Sequence, residues 1–228
     1  MSTLLAALRT EISRNGRIAR LPVGWVIHPP YTTGTDSAVM SNYRRAAVPG
    51  AVYFFTVALA DRRSRVLVEH ADALRAAFVA TAREHPVRVD AMVVLPDHLH
   101  AVWRLPEGDA DFPVRWRKLK ARFTRAVGGE WRQSGRVGDS PTANPWPRSE
   151  SKIRKGERGL WQRRYWEHMI RDADDWRRHV EYCWINPVKH GLVGAVRDWP
   201  LSSFHRDVRR GLVQEDWAGD VVEGRYGE

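Results

Sequence analysis

Between Ala51 and Leu105 the chain writes four segments whose order leaves few folds open. The run AVYFFTVALA at 51–60 is β-branched and aromatic, follows Pro49-Gly50 and stops at Asp61-Arg62-Arg63, so it predicts a buried strand. From Val66 to Glu84 the apolar residues, Leu74, Phe78 and Val79 among them, recur at helical spacing and stop before Pro86. Val87–Leu95 and His98–Leu105 are two further apolar runs joined by the turn Pro96-Asp97, which predicts a hairpin. Phe112 to Val127 is helical again and strongly basic, with Gly128-Gly129 expected to end it. Leu160–Ile170 suits an aromatic strand, and Asp172 or Asp174 can cap a helix running to about Ile185, because Pro187 disfavours helix in the residue before it. The order β-α-β-β-α-β followed by a helix resembles an α+β, ferredoxin-like antiparallel sheet with helices on one face.

Around this frame, residues 1–40 show no sustained period and are expected to be a poorly ordered extension, with Met40 an alternative start. Residues 41–218 are expected to form a single domain and 219–228 a tail. The segment 133–157, rich in Ser, Gly, Pro and charge, is expected to be a mobile loop within the domain.

Charge narrows the partners. Lys and Arg number 37 against 27 Asp and Glu, a net charge of +10, which favours a polyanion. Eleven tryptophans, many beside Arg or Lys, suit stacked bases and phosphates. The single cysteine, Cys183, excludes an internal disulfide and multi-cysteine zinc sites, and fits the reducing cytoplasm. The longest apolar stretch, Ala46–Ala60, is broken by Pro49 and Gly50 and falls short of the ~18 residues of a membrane span, so no membrane partner is expected.

Three kinds of side chain carry candidate chemistry. In Leu95-Pro-Asp-His-Leu-His, period two sends His98 and His100 to one face of a strand and Leu99 to the other, which makes half of a metal site. Histidine pairs of this spacing also occur by chance on exposed strands. On the last helix, at ~100° per residue, Trp176, Val180, Cys183 and Trp184 make an apolar stripe, while Asp175, His179, Tyr182 and Asn186 make a polar one. Tyr182 and Asn186, one turn apart, project together, so a phenol and an amide oxygen can meet the two imidazoles across the sheet. Taken singly, a border tyrosine is commonly packing and an Asn before Pro a helix cap.

The combination of PDHLH with Y-x-x-x-NPVKHGLV resembles the REP-associated tyrosine transposases, relatives of the single-tyrosine HUH transposases. The resembling stretches are SNYRRAAVPGAVYFFTVALADRRSR at 41–65, VVLPDHLHAVWRLPEGDADFPVRWRKLK at 93–120, RGLWQRRYWEHMIRDADDWRRHVEYCWINPVKHGLV at 158–193 and DWPLSSFHRDV at 198–208. Trp184 stands where members more often carry a histidine. The resemblance implies an HUH endonuclease fold, His98 and His100 as metal ligands, Asn186 as the third ligand and Tyr182 as nucleophile. It also implies a substrate: a hairpin from a repeated extragenic palindrome with a flanking single strand.

That chemistry suits the residue types. A phenol, with pKa near 10, is a better leaving group than an aliphatic alcohol, so a 5′-phosphotyrosine conserves the bond energy for rejoining. Two imidazoles and an amide oxygen suit Mg²⁺ or Mn²⁺ in an open site. Asp97 and His179 are the candidates for general base. Arg115, Arg117, Lys118, Lys120, Arg122, Arg163 and Arg164 are expected to track phosphates, with Trp116, Trp161 or Trp166 stacking unpaired bases. The expectation is a metal-dependent single-stranded DNA endonuclease and strand transferase, monomeric or homodimeric, acting on single-stranded or hairpin DNA. A non-catalytic ferredoxin-like nucleic-acid binder explains charge and tryptophans equally, but not the pairing of the two motifs. A water-using phosphodiesterase would leave no protein on its product.

Overall fold

The run at 51–60 is apolar at nearly every position because both faces of its strand are covered. The computed structural model describes residues 47–133, 150–154, 159–219 and 226. In it, strand β1 (Val52–Ala58) sends Tyr53, Phe55 and Val57 into one core and Phe54 into another. Strands β2 (Arg88–Val94), β3 (His98–Arg104) and β4 (Trp166–Met169) complete a sheet ordered β2-β3-β1-β4, with every neighbouring pair antiparallel. This is the expected ferredoxin-like α+β arrangement.

On the first face, the helices α2 (Ala71–Glu84) and α3 (Phe112–Gln133) pack Leu74, Ala77, Phe112, Trp116, Leu119 and Phe123 against Tyr53, Phe55, Leu99, Ala101 and Trp103. Trp103 and Trp116 stack at 4.0 Å and 10°, which fixes α3 across β3. The expectation of helices on one face is corrected here, because the helix that follows the sheet takes the other: the later helix α5 (Ala173–Lys189) sets Val180, Cys183 and Ile185 against Phe54, Ala91, Val93 and Val102. Beyond it, helix α6 (Phe204–Arg209) closes the free edge of β2. There Val94 N–H donates to Leu201 O at 2.9 Å, Ser203 N–H to Met92 O at 2.8 Å, and the Arg206 guanidinium to Val89 O at 2.8 Å.

Four boundaries depart from the sequence reading. The first helix breaks at His70 into α1 (Val66–Glu69) and α2. Helix α3 continues through Gly128, which does not take the left-handed conformation that terminates helices. The aromatic strand shortens to β4, while Trp161 reaches Leu59 only through an isolated bridge. Helix α5 runs through Pro187 to Lys189 and stops instead at Gly191 (φ 64), where Leu192 N–H donates to Pro187 O at 2.9 Å. The bias of a pre-proline residue against helix is outweighed by burial of Ile185, Asn186 and Pro187.

A five-residue helix, α4 (Glu150–Arg154), lies in the segment expected as a mobile loop; the rest of that segment within 134–158 and the extension 1–40 lie outside the described residues. From the expected tail, Tyr226 is buried against the second core. Among the described residues, no helix is long and apolar enough to cross a membrane.

Candidate active site

The pleat of β3 sorts its side chains as expected: Leu99 enters the first core, while His98 and His100 face α5, buried at 1% and 0% exposure. Their rings lie 4.9 Å apart at 82°. Each is gripped from behind by its Nδ1. Thr56 stands opposite His100 in the β1–β3 register, and its hydroxyl lies 2.9 Å from His100 Nδ1. That hydroxyl donates its one proton to the Tyr226 carbonyl, so at His100 it accepts, and Nδ1 carries the hydrogen. His98 Nδ1 lies 2.8 Å from Asp97 Oδ1, and Asp97 Oδ2 takes Arg62 Nε at 2.8 Å. Burial works against the Asp97 carboxylate, but the hydrogen bond from His98 and the neighbouring Arg62 guanidinium outweigh it and hold its pKa below the ordinary value.

Both histidines are therefore set in the tautomer that turns an Nε2 lone pair away from its supporting partner, the orientation that metal-binding imidazoles receive from carboxylate or hydroxyl neighbours. Two such nitrogens fit a divalent cation that keeps open positions. Asp97, a candidate general base from the sequence, has both oxygens committed to His98 and Arg62 and acts here as a support.

Helix α5 brings the second motif to the first. Its start is fixed by Asp172, whose carboxylate accepts from Asp175 N–H at 2.7 Å. Two turns on, the Tyr182 ring lies 5.2 Å from the His100 ring at 69° and is 3% exposed. Lys189 Nζ donates to Tyr182 Oη at 2.9 Å. Asn186, one turn beyond Tyr182 on the same stripe, is fully buried. The stripe read as polar is thus buried along with the apolar one, and its Tyr182 meets His100, a contact that only the tertiary structure sets.

Among the described residues, His168, Asp175 and His179 form another group with metal-ligand spacing. Its surroundings point to a different role. Asp175 accepts from His168 Nε2 at 2.8 Å, Arg171 N–H at 3.1 Å, Arg171 Nε at 3.0 Å and Arg178 at 3.4 Å, so two guanidiniums already surround the carboxylate. Burial opposes its ionisation, yet the Arg171 and His168 hydrogen bonds prevail and push its pKa far below the ordinary carboxylate range. A cation would enter against those charges. The group is an ion-pair hub that ties β4 to the first turn of α5. His179, a candidate base, has its Nδ1 2.7 Å from the Asp175 carbonyl, and burial pushes its pKa down, toward the neutral form.

Comparison with known proteins decides the family. No family model matches the chain. A REP-associated tyrosine transposase from Escherichia coli is 45% identical over 189 residues, spanning 83% of this chain and 98% of the relative. A Haemophilus influenzae protein named for the same family is 42% identical over 181 residues, 79% of this chain and 95% of its own. The solved structure of a REP-associated tyrosine transposase bound to a REP hairpin superposes with a TM-score of 0.68 at 45% identity, covering 83% of this chain and 98% of that one. The chain belongs to the REP-associated tyrosine transposases.

As a REP-associated tyrosine transposase it is a DNA-binding enzyme of transposition, and its fold puts the expected DNA-binding cations in three different situations. Arg115 is corrected to an interior role. It is 1% exposed, takes Asp109 through both carboxylate oxygens at 2.6 and 3.1 Å, and donates to Pro86 O at 2.6 Å and Asp111 O at 3.0 Å. Lys118 and Arg122 share Glu84, whose pKa their hydrogen bonds draw down to about 2, and Lys120 lies over the rings of Trp161 and Tyr165. Arg117, Arg163 and Arg164 are exposed. Helix α3 covers the sheet face opposite His98 and His100, whereas Arg163 and Arg164 precede the edge strand β4. Two expected base-stacking residues are also corrected: Trp116 is wholly buried against Trp103, and Trp161 is buried with Nε1 on Thr124 Oγ1 at 3.1 Å. Trp166 is half-buried.

Sequence reasoning missed three residues of the site. Thr56 carries no signal until the β1–β3 register is known. Tyr226 stacks on Tyr182 at 3.5 Å and 14°, a contact across 44 residues that no local pattern announces. Lys189 was legible in principle, seven residues and so two helical turns from Tyr182, had the helix been carried past Pro187.

Proposed function

We propose that this transposase cleaves and rejoins single-stranded DNA next to REP-type hairpins through Tyr182, with a divalent cation, Mg²⁺ or Mn²⁺, held by His98, His100 and Asn186. The observation that carries the reading is the packing of the buried Tyr182 phenol against His100, with both histidines turning Nε2 away from Asp97 and Thr56. The cation supplies polarisation of the scissile phosphate when bound. The chain supplies the rest. Tyr182 Oη attacks phosphorus, the bond to the 3′ oxygen breaks, and the strand is left with a free 3′-hydroxyl and a 5′ phosphate on tyrosine. The reverse step, with a second 3′-hydroxyl as attacker, transfers the strand without ATP.

The test is covalent trapping. Hairpin oligonucleotides from DNA flanking the gene, with single-stranded extensions, are incubated with the protein in Mn²⁺ or Mg²⁺ and run on a denaturing gel. A shifted protein–DNA band is expected from the wild type and none from Tyr182→Phe, which keeps DNA affinity. A band that persists in Tyr182→Phe refutes the nucleophile; binding with free cleaved products and no band favours a phosphodiesterase, and binding without cleavage a non-catalytic binder.

A further inference from the structure

Some group must manage the charge on the phenol; Asp97 has both oxygens on His98 and Arg62, and His179 has its Nδ1 on the Asp175 carbonyl. We propose that Lys189 is a catalytic residue: its ammonium neutralises the negative charge that builds on Tyr182 Oη as the phenol attacks and again as it departs. The proposal rests on Tyr182 being the nucleophile.

The geometry is specific. Nζ lies 2.9 Å from Oη and 4.9 Å from the ring centroid, so the cation sits at the hydroxyl end of the ring. The phenol is 3% exposed, and water cannot solvate charge there as it does at the surface. A donor already in place costs no reorganisation when the charge develops. Lys189 is an exposed residue at the last turn of α5, where its side chain has solvent and helix carbonyls available, yet its ammonium is turned in to a buried oxygen.

Local structure makes this pairing. Seven residues at ~100° each return to almost the same helical azimuth, so Tyr182 and Lys189 share a face only while the helix is unbroken between them. Pro187 lies in that interval, and α5 nevertheless runs on to Lys189 before Gly191 ends it. A helix that stopped at Ile185 would leave the lysine out of register. Continuation through the proline therefore has a chemical consequence.

In the forward step the Oη–P bond forms and the bond from phosphorus to the 3′ oxygen breaks. The phenol proton passes to water, the departing 3′ oxygen takes a proton from water, and Lys189 keeps its three protons. In the reverse step a 3′-hydroxyl attacks, its proton goes to water, and the phenolate leaves against the same ammonium.

The alternative is a helix-capping lysine that merely complements the helix dipole. Single-turnover kinetics separate the two, using a hairpin oligonucleotide with a single-stranded flank and the full chain. Lys189→Met is expected to slow both adduct formation and resealing by about 10²-fold, the scale on which removal of one charge-stabilising donor acts. Lys189→Arg, which keeps the charge, should recover most of that loss, and DNA affinity should change no more than a few-fold in either. A strand with sulfur at the 3′ bridging position should leave the Lys189→Met defect in place, because the lysine serves the nucleophile. Rescue by that sulfur, equal losses in Met and Arg, or wild-type rates in Met alongside an inactive Tyr182→Phe would each overturn the proposal. The last of these would leave Tyr182 standing; adduct from Tyr182→Phe would instead remove the nucleophile reading itself. Lys189→Gln, assayed alongside with its melting temperature, covers the case in which Met disturbs the fold.

Discussion

Replacing Asp175 by Asn tests what holds the active-site helix. The side chain keeps its size, and an amide oxygen still accepts hydrogen bonds, but the charge that gathers His168, Arg171 and Arg178 is gone. A hydrogen bond to a charged group contributes about 1.5–3 kcal/mol and a neutral one about 0.5–1.5. Across the three close donors, His168 Nε2, Arg171 Nε and Arg171 N–H, at 2.8, 3.0 and 3.1 Å, the loss is about 1 kcal/mol each. Arg171 and Arg178 are 50% and 45% exposed and regain water, which trims the total to about 2–3 kcal/mol. For a domain of this size that lowers the melting temperature by about 4–12 °C. Urea denaturation of both proteins from pH 7 downward is the assay. The folded-state pKa of Asp175 is depressed, so its contribution is complete above the ordinary value of 3.8 and is lost as pH falls below it toward the folded value. The gap between the proteins should be constant down to about pH 5 and then close. A difference under about 0.5 kcal/mol at pH 7, or one that widens in acid, would refute the hub. So would a rise in melting temperature with Mn²⁺ or Zn²⁺ that survives His98→Ala with His100→Ala but vanishes in Asp175→Asn, since two guanidiniums should keep cations out of the His168 group.

Thr56→Val keeps shape but removes the acceptor that sets the His100 tautomer; Mn²⁺ affinity by calorimetry should fall about 10–100-fold, alongside a stability loss of about 1–3 kcal/mol from the buried groups it strands, so binding is measured well below the variant's melting temperature. Equal affinity would show that Thr56 does not orient a ligand. Arg115→Gln should destabilise the fold by about 3 kcal/mol in denaturant, because it strands Asp109 and two carbonyls beside a buried site. Changing Arg163 and Arg164 to Gln should flatten the salt dependence of DNA binding by roughly 0.7 for each phosphate that is no longer neutralised. An unchanged slope would place the phosphate track elsewhere.

Much of this protein was written in local pattern. The run at 51–60, the paired apolar runs flanking Pro96-Asp97 and the helical spacing of 66–84 specified the sheet and its class, because strand and helix periods act over a few residues. The same holds for His98 and His100 facing away from Leu99, and for Tyr182 and Asn186 sharing a helix stripe. Helix ends were less legible: Gly128 and Pro187 are breakers by propensity, and burial of the residues around them outweighed that preference. The basic segment at 115–125 misled for a related reason. Sequence counts charges, but only packing shows that Arg115 neutralises Asp109 inside the protein while Arg117 meets solvent. Tertiary structure alone decided which face of the sheet α5 covers, and with it the meeting of Tyr182 and His100. It also decided the supporting interactions of Thr56, Arg62 and Tyr226, none of which is near its partner in the chain. Periodicity orients a side chain relative to its own element; the neighbour it meets depends on how elements separated by tens of residues dock, which is set by the summed burial of both cores.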